Sequence, residues 1–218
     1  MSKAFYRFSV HVMQIVMPLW YKIRREGTEN LPQEGGYLFI SNHRSMADAI
    51  LIPLLCPKKR FFILAKQELF SHGTVGWLLK NLGAVAVDRG AGDLSPLKEL
   101  SDRLREGENA MIFPEGTRSK DGRLGRFKSG AALIAAQTGV PVVPVGISFK
   151  GTKLHFRSRI TLRIGEPFTI QQTTMENPSV AVLKSVRQEM AQHVCALLPE
   201  EAQPAKKISS EQKGDLHS

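Results

Sequence analysis

Tyr37-Leu38-Phe39-Ile40-Ser41-Asn42-His43-Arg44-Ser45-Met46-Ala47-Asp48, residues 37–48, is the stretch whose reading decides the fold. Its first four residues form an unbroken apolar run preceded by Gly35 and Gly36, the pattern of a strand buried on both faces. The polar residues then fall at the strand's C-terminal end, where open α/β sheets place their chemistry. His43 and Asp48 are five positions apart, so on one regular helix they would point about 140° away from each other. They meet only if His43 lies on the turn before a helix and Asp48 in its first turns. In that arrangement Asp48 accepts from one imidazole nitrogen and leaves the other free to take a proton, the orienting logic of a His–carboxylate pair. Ser45 is open to two readings, a nucleophile or an N-cap for the following helix.

Outward from this stretch, apolar runs alternate with helical patterns. Strands are expected at 60–65, 84–87, 109–113, 140–148 and 160–164. Helices are expected at 46–55, 74–82, 94–105 and 129–138, with a last amphipathic one beginning near Asn177-Pro178. Ser95-Pro96 opens one of these helices, and Gly83, Gly107 and Gly139 follow three of them. The alternation predicts a single α/β domain with a mostly parallel central sheet flanked by helices. The expected organisation is an N-terminal amphipathic helix over 1–25, the main domain over 26–198 and a disordered polar tail over 199–218.

The chain has 218 residues, 42% of them hydrophobic, and a net charge of +10. That length supports one sizeable core, and the charge implies an anionic partner: nucleic acid, a phosphorylated substrate or a membrane surface. No helix-turn-helix, zinc-finger or aromatic RNA-binding signature accompanies the charge, so nucleic acid is not the expected partner. Cys56 and Cys195 cannot build a disulfide framework and have no metal-ligand spacing, so no metal is expected. No convincing signal peptide and no spanning apolar stretch of ~20 residues is present. Residues 5–23 place Phe5, Phe8, Val12, Ile15, Val16, Leu19 and Trp20 at helical spacing, with Pro18 positioned to bend or split the helix. On composition alone, a membrane-interface helix and a helix packed on the domain's own core stand equal.

Further polar clusters end other strands: Lys66, Asp88-Arg89-Gly90, and Glu115-Gly116-Thr117-Arg118-Ser119. Gly116 allows a positive φ, and Arg118 supplies a planar fork for phosphate or carboxylate. Glu115 either holds Arg118, closing the turn, or bonds a substrate hydroxyl. Lys66 has solvent or Glu68 as its simpler fate, and Arg89 a solvated strand end.

Asn42-His43-Arg44-Ser45-Met46-Ala47-Asp48 resembles the N-H-x-S-x-x-D form of the motif shared by the glycerolipid acyltransferases. Residues 83–89, Phe113-Pro114-Glu115-Gly116-Thr117-Arg118-Ser119, and Val140-Pro141-Val142-Val143-Pro144-Val145 resemble that family's later blocks, in order. The resemblance covers roughly residues 24–166. It implies the glycerolipid acyltransferase fold and transfer of an acyl group, from acyl-CoA or acyl-carrier protein, to the sn-2 hydroxyl of 1-acyl-sn-glycerol-3-phosphate. It also implies that His43 is the general base and Asp48 its orienting partner. Asn42, Ser45, Lys66, Arg89, Glu115, Gly116, Thr117 and Arg118 would line the substrate site, with phosphate held by Lys66, Arg89 and Arg118. Backbone N–H groups near the start of the helix after His43 are expected to meet the oxyanion. No cofactor is implied beyond the thioester co-substrate. A lipid substrate favours the membrane-interface reading of the first helix, with anionic lipids as partner and the cytoplasmic face of the membrane as the place, peripheral or monotopic. Other acceptors, such as glycerol-3-phosphate or another lysophospholipid, stay open, as does a non-catalytic lipid-binding protein on the same fold.

Overall fold

A computed structural model of the chain describes residues 3–88, 94–170 and 177–204. In chain order its elements are α1 (Lys3–Trp20), β1 (Lys22–Glu26), β2 (Leu38–Ser41), α2 (Asp48–Leu51), β3 (Phe61–Lys66), α3 (Gly73–Asn81) and β4 (Ala84–Val87). Then come α4 (Ser95–Arg105), β5 (Asn109–Ile112), α5 (Ser129–Thr138), β6 (Val142–Phe149), β7 (Arg159–Ile164) and α6 (Val180–Ala196). One sheet runs β1-β7-β6-β2-β5-β3-β4. Every neighbouring pair is parallel except β6–β7, so β1 and β7 run opposite to the other five strands. The expected α/β architecture is the one observed.

Burial follows from the period of two along β2. Leu38 and Ile40 point to one face, where they pack with Leu100 and Leu104 of α4, Ala131 and Ile134 of α5, and Val186 and Met190 of α6. Phe39 points to the other, against Tyr6, Val10 and Met17 of α1 and Leu51 of α2. All three β2 side chains are fully buried. Each is worth roughly 1.5–3 kcal/mol relative to exposure, which is why this strand forms the centre of the sheet. The C-terminal ends of β2, β3, β4 and β5 share one sheet edge, which brings the His43 and Glu115 segments together.

Three expectations change. Lys22–Glu26 is a strand at the sheet's edge, paired in parallel with β7, so the N-terminal helix expected over 1–25 does not extend through it. A boundary at residue 25 therefore cuts through β1. With Ile23 its only apolar residue, the strand carries too little hydrophobic pattern to be read from sequence. Second, α1 runs unbroken to Trp20 with Pro18 in its last turn, where the proline forfeits its own N–H bond but little helix follows for it to bend. Third, the polar tail starts later than residue 199. Glu200–Ala202 forms a 3₁₀ turn, Ala202 is buried, and its carbonyl accepts from Leu124 N–H at 2.8 Å. Residues 205–218 lie outside the described residues.

Candidate active site

Asp48 is fully buried, and its carboxylate organises the turn that follows β2. Oδ2 accepts from the backbone N–H of Arg44 at 2.6 Å and of Ser45 at 2.7 Å, and lies 2.9 Å from His43 Nδ1. Oδ1 accepts from Ser45 Oγ at 3.0 Å. A carboxylate taking this many donors acts as an acceptor only, so Nδ1 carries the imidazole proton and Nε2 presents a lone pair. The ring is held from below by Phe113, stacked at 4.0 Å between centroids and 14° between planes. The imidazole thus has a fixed tautomer, a fixed plane and 17% side-chain exposure.

The turn also answers the question of Ser45. Its hydroxyl donates to Asp48 and accepts from Ala47 N–H at 3.0 Å, so it caps the turn and has no base to activate it as a nucleophile. The amides of Arg44, Ser45 and Ala47 are spent within the turn, which removes them as the expected oxyanion donors.

Asn42 is 2% exposed, and its amide is engaged by backbone. Its Oδ1 accepts from Ile147 N–H at 2.8 Å and its Nδ2 donates to Ile147 O at 2.9 Å, so the amide serves as a rung between the end of β2 and β6. The Glu115 carboxylate is turned to backbone amides and not to Arg118. Oε1 accepts from His43 N–H at 2.8 Å and Oε2 from Gly125 N–H at 2.9 Å, so the carboxylate clamps the His43 turn to the 119–128 loop. Burial pushes its carboxyl above the ordinary range, and the two amide bonds pull the other way. A Cβ on Gly125 would lie 2.7 Å from Oε2, so a side chain here must displace the Glu115 carboxylate. His43 O, in turn, accepts from Ser119 N–H at 2.8 Å.

Arg44, unassigned from sequence, fastens the other wall. Nη1 donates to Phe149 O at 3.0 Å and Nη2 to Gly151 O at 2.5 Å, and the guanidinium lies 4.0 Å from the centroid of the Phe149 ring. Burial lowers its pKa from the usual arginine value.

Beside this turn opens a cleft of about 760 Å³, lined by Arg44, Ser45, Met46, Thr117, Arg118, Lys120 and Lys153 among others. Thr117 and Arg118 stand where the sequence places them, and Gly116 takes φ +73° in the turn before them. His43 is not in its wall, which begins with the next residue, Arg44. Lys66 does not line the cleft: it is exposed and paired with Glu68 at 2.5 Å. Arg89 lies outside the described residues. Lys120 and Lys153 carried no motif, and only proximity in the fold reveals them. Cys56 is unsuited to nucleophilic work, since burial pushes its thiol up to about 11. Among the described residues, no three His, Cys, Asp or Glu side chains gather as a metal site requires.

Comparison with known proteins bears on the family and the fold. A family model described as acyltransferase matches residues 22–148. A chloroplastic 1-acyl-sn-glycerol-3-phosphate acyltransferase of Arabidopsis thaliana is 41% identical over 135 residues, which is 61% of this chain and 37% of that protein. The 1-acyl-sn-glycerol-3-phosphate acyltransferase of Bacillus subtilis is 30% identical over 164 residues, covering 74% of this chain and 81% of that one. The crystal structure of the 1-acyl-sn-glycerophosphate (LPA) acyltransferase PlsC from Thermotoga maritima superposes with a TM-score of 0.65 at 29% identity, covering 88% of this chain and 79% of that chain. The match takes in 37% of the Arabidopsis protein and 39% of a chloroplastic 1-acyl-sn-glycerol-3-phosphate acyltransferase of Brassica napus, so the chain spans about two fifths of the length of these relatives.

Proposed function

The chain belongs to the acyltransferase family, and from that premise we propose that it acylates the sn-2 hydroxyl of 1-acyl-sn-glycerol-3-phosphate, giving phosphatidic acid in phospholipid synthesis. The donor is an acyl thioester, acyl-CoA or acyl-carrier protein. The observation that carries the reading is the His43 imidazole, locked by Asp48 at 2.9 Å and by the Phe113 ring. His43 Nε2 takes the proton of the acceptor hydroxyl as its oxygen attacks the thioester carbonyl carbon. The carbon–sulfur bond then breaks, and the imidazolium returns the proton to the leaving thiolate. Asp48 stabilises the imidazolium formed in between. In the His43 turn, Met46 N–H is the amide left to meet the oxyanion.

In this reading the acceptor's phosphate sits in the cleft against Arg118, joined by Lys120 and Lys153. Arg89 is kept as a phosphate ligand on the resemblance of residues 83–89 alone, and Lys66 is dropped. Asn42 and Glu115 hold the turn in place and do not touch substrate.

The protein is proposed to work at the cytoplasmic face of the membrane. No helix among the described residues is long and apolar enough to cross a bilayer. α1 supports both earlier readings at once: Tyr6, Val10 and Met17 are buried in the core, while Phe8, Ile15, Val16, Leu19 and Trp20 remain exposed. Trp20 packs edge-on against exposed Phe156 at 5.3 Å, extending that apolar stripe. Such a helix lies in the interface with its outer face in lipid.

The test is acyl transfer on lipid vesicles with oleoyl-CoA or oleoyl-acyl-carrier protein and three acceptors: lysophosphatidic acid, glycerol-3-phosphate and lysophosphatidylcholine. Product from lysophosphatidic acid alone is expected. Product from another acceptor would keep the chemistry and change the substrate. No product from any pairing would leave a lipid-binding protein without catalysis.

A further inference from the structure

At the opposite edge of the sheet from the cleft, the N-terminal ends of β3 and β5 frame a second cavity of about 180 Å³. Its walls are Tyr6 and Arg7 of α1, Lys58, Lys59 and Arg60 before β3, and Gly107, Glu108 and Asn109 at the start of β5. Four cations face one small space. α1 spans most of the distance between the two sites, from Tyr6 to Trp20, about 21 Å at 1.5 Å per residue, and the next residue, Tyr21, lines the first cleft.

The interior of this cavity is unusual in its hydrogen bonding. Asn109 is 1% exposed, and its Oδ1 accepts from Tyr37 N–H at 3.1 Å. That bond fixes the amide's orientation and turns Nδ2, a buried donor without a protein acceptor, to the other side. Arg60 Nε and Nη2 are likewise buried donors without a protein hydrogen-bond acceptor, the guanidinium lying 5.0 Å from the Phe62 ring centroid and 6.0 Å from that of Tyr6. Tyr6 Oη accepts from Phe61 N–H at 3.1 Å, and burial pushes the phenol up to about 12, so it keeps a proton to donate. Against these donors stands one buried acceptor without a partner, Glu108 Oε2. Buried polar groups left unpaired cost about 1–3 kcal/mol each, and several converging on one cavity point to something that pairs them together. Four cations against the single Glu108 carboxylate leave an excess of positive charge that plain water does not match.

We propose that this cavity binds a phosphate group that also carries a hydrogen-bond donor. A phosphate monoester or a phosphodiester with a hydroxylated headgroup has that chemistry. The phosphate oxygens accept from Asn109 Nδ2, Arg60 and the lysines, and the ligand's own O–H donates to Glu108 Oε2. The space holds roughly six waters at ~30 Å³ each, so it takes a headgroup and excludes an acyl chain. Phosphate of this kind comes from a lipid or from solution. The exposed Phe8 beside Arg7 places the site at the border of the apolar outer face of α1. The inference stands on this cavity and does not depend on the acyltransferase reading.

The experiment follows the Asn109 side-chain amide and the Arg60 Nε–H by heteronuclear NMR of the full chain. Inorganic phosphate is titrated first, then bicelles containing phosphatidylglycerol or phosphatidic acid, with phosphatidylcholine bicelles as the control lacking a headgroup donor. Saturable movement of both signals is expected with phosphate and with the two anionic lipids. A double charge reversal, Lys58→Glu with Lys59→Glu, should weaken it more than about ten-fold and leave activity on detergent-dispersed substrate unchanged. Movement with inorganic phosphate and none with lipid would assign the site to a soluble phosphate and reject the lipid source. No saturable movement with any probe, or movement indifferent to the charge reversal, would overturn the proposal.

Discussion

Asp48→Asn separates what Asp48 does for the fold from what it does for chemistry. The substituted amide has one natural orientation. Its oxygen replaces Oδ2, which accepts from Arg44 N–H, Ser45 N–H and His43 Nδ1–H, and its NH₂ replaces Oδ1, facing the Ser45 hydroxyl. The turn and the imidazole tautomer are then preserved, with neutral acceptance in place of charge-assisted bonds. The stability cost is about 1–3 kcal/mol, since hydrogen bonds to charged groups exceed neutral ones by about that much in sum. The catalytic cost is larger. A carboxylate and an imidazolium with centres about 4 Å apart attract by about 4 kcal/mol at an effective dielectric of ~20, and this attraction is present only once the proton has moved. Its loss corresponds to about a 10³-fold fall in kcat, with acceptor KM nearly unchanged. The assay is acyl transfer at saturating oleoyl-CoA, with circular dichroism and thermal melting to establish that the variant is folded. A folded variant retaining kcat within about tenfold of wild type would refute the role assigned to Asp48.

Gly125→Ala should destabilise the protein by about 1–3 kcal/mol in denaturant unfolding, because the new Cβ would lie 2.7 Å from Glu115 Oε2 and break the clamp on His43. A neutral effect would mean that the clamp yields freely. Glu115 contributes a pH dependence of its own. Its carboxyl is raised in the folded state, chiefly by burial, so its contribution to stability is full below the ordinary value of 4.5 and is lost as pH rises through the folded value. Measured against wild type, the melting temperature of Glu115→Gln should therefore shift in the variant's favour between about pH 4 and pH 8, and a shift in the other direction contradicts the assignment. Arg118→Ala should raise KM for lysophosphatidic acid about tenfold or more through the lost phosphate contact while kcat falls less. Equal falls in kcat for Arg118→Ala and His43→Ala would remove the distinction between binding and chemistry.

The parts of this molecule that were legible in the sequence are those whose signal is local. Leu38-Phe39-Ile40 is apolar throughout because β2 is covered on both faces, and the spacing of His43 and Asp48 already required a turn between them. The alternation of strand and helix patterns gave the α/β class. Edge strand β1 was missed because Lys-Ile-Arg-Arg-Glu spends four of five positions on charge. The work of Asn42, Arg44 and Glu115 was hidden for a different reason. Asn42 meets Ile147, Arg44 meets Phe149 and Gly151, and Glu115 meets the amide of His43, all across 72 to 107 positions of chain. Side chains at a motif's centre look like substrate ligands in sequence, yet here the buried ones are spent on backbone. The same distance effect concealed Lys120 and Lys153, which join Arg118 in one cleft only after β6 and the 119–128 loop are in place. For α1, composition could not choose between core and membrane because the helix supplies an apolar stripe to each.

The central claim is that His43 moves the proton in transfer to the acceptor hydroxyl. It is tested most directly by single-turnover formation of phosphatidic acid from oleoyl-CoA and lysophosphatidic acid, comparing wild type with His43→Ala at matched, saturating binding of both substrates. Wild type should form product, and the variant should do so at a rate at least about 10²-fold lower, with lysophosphatidic acid still bound. A variant that forms phosphatidic acid at a rate comparable to wild type would contradict it.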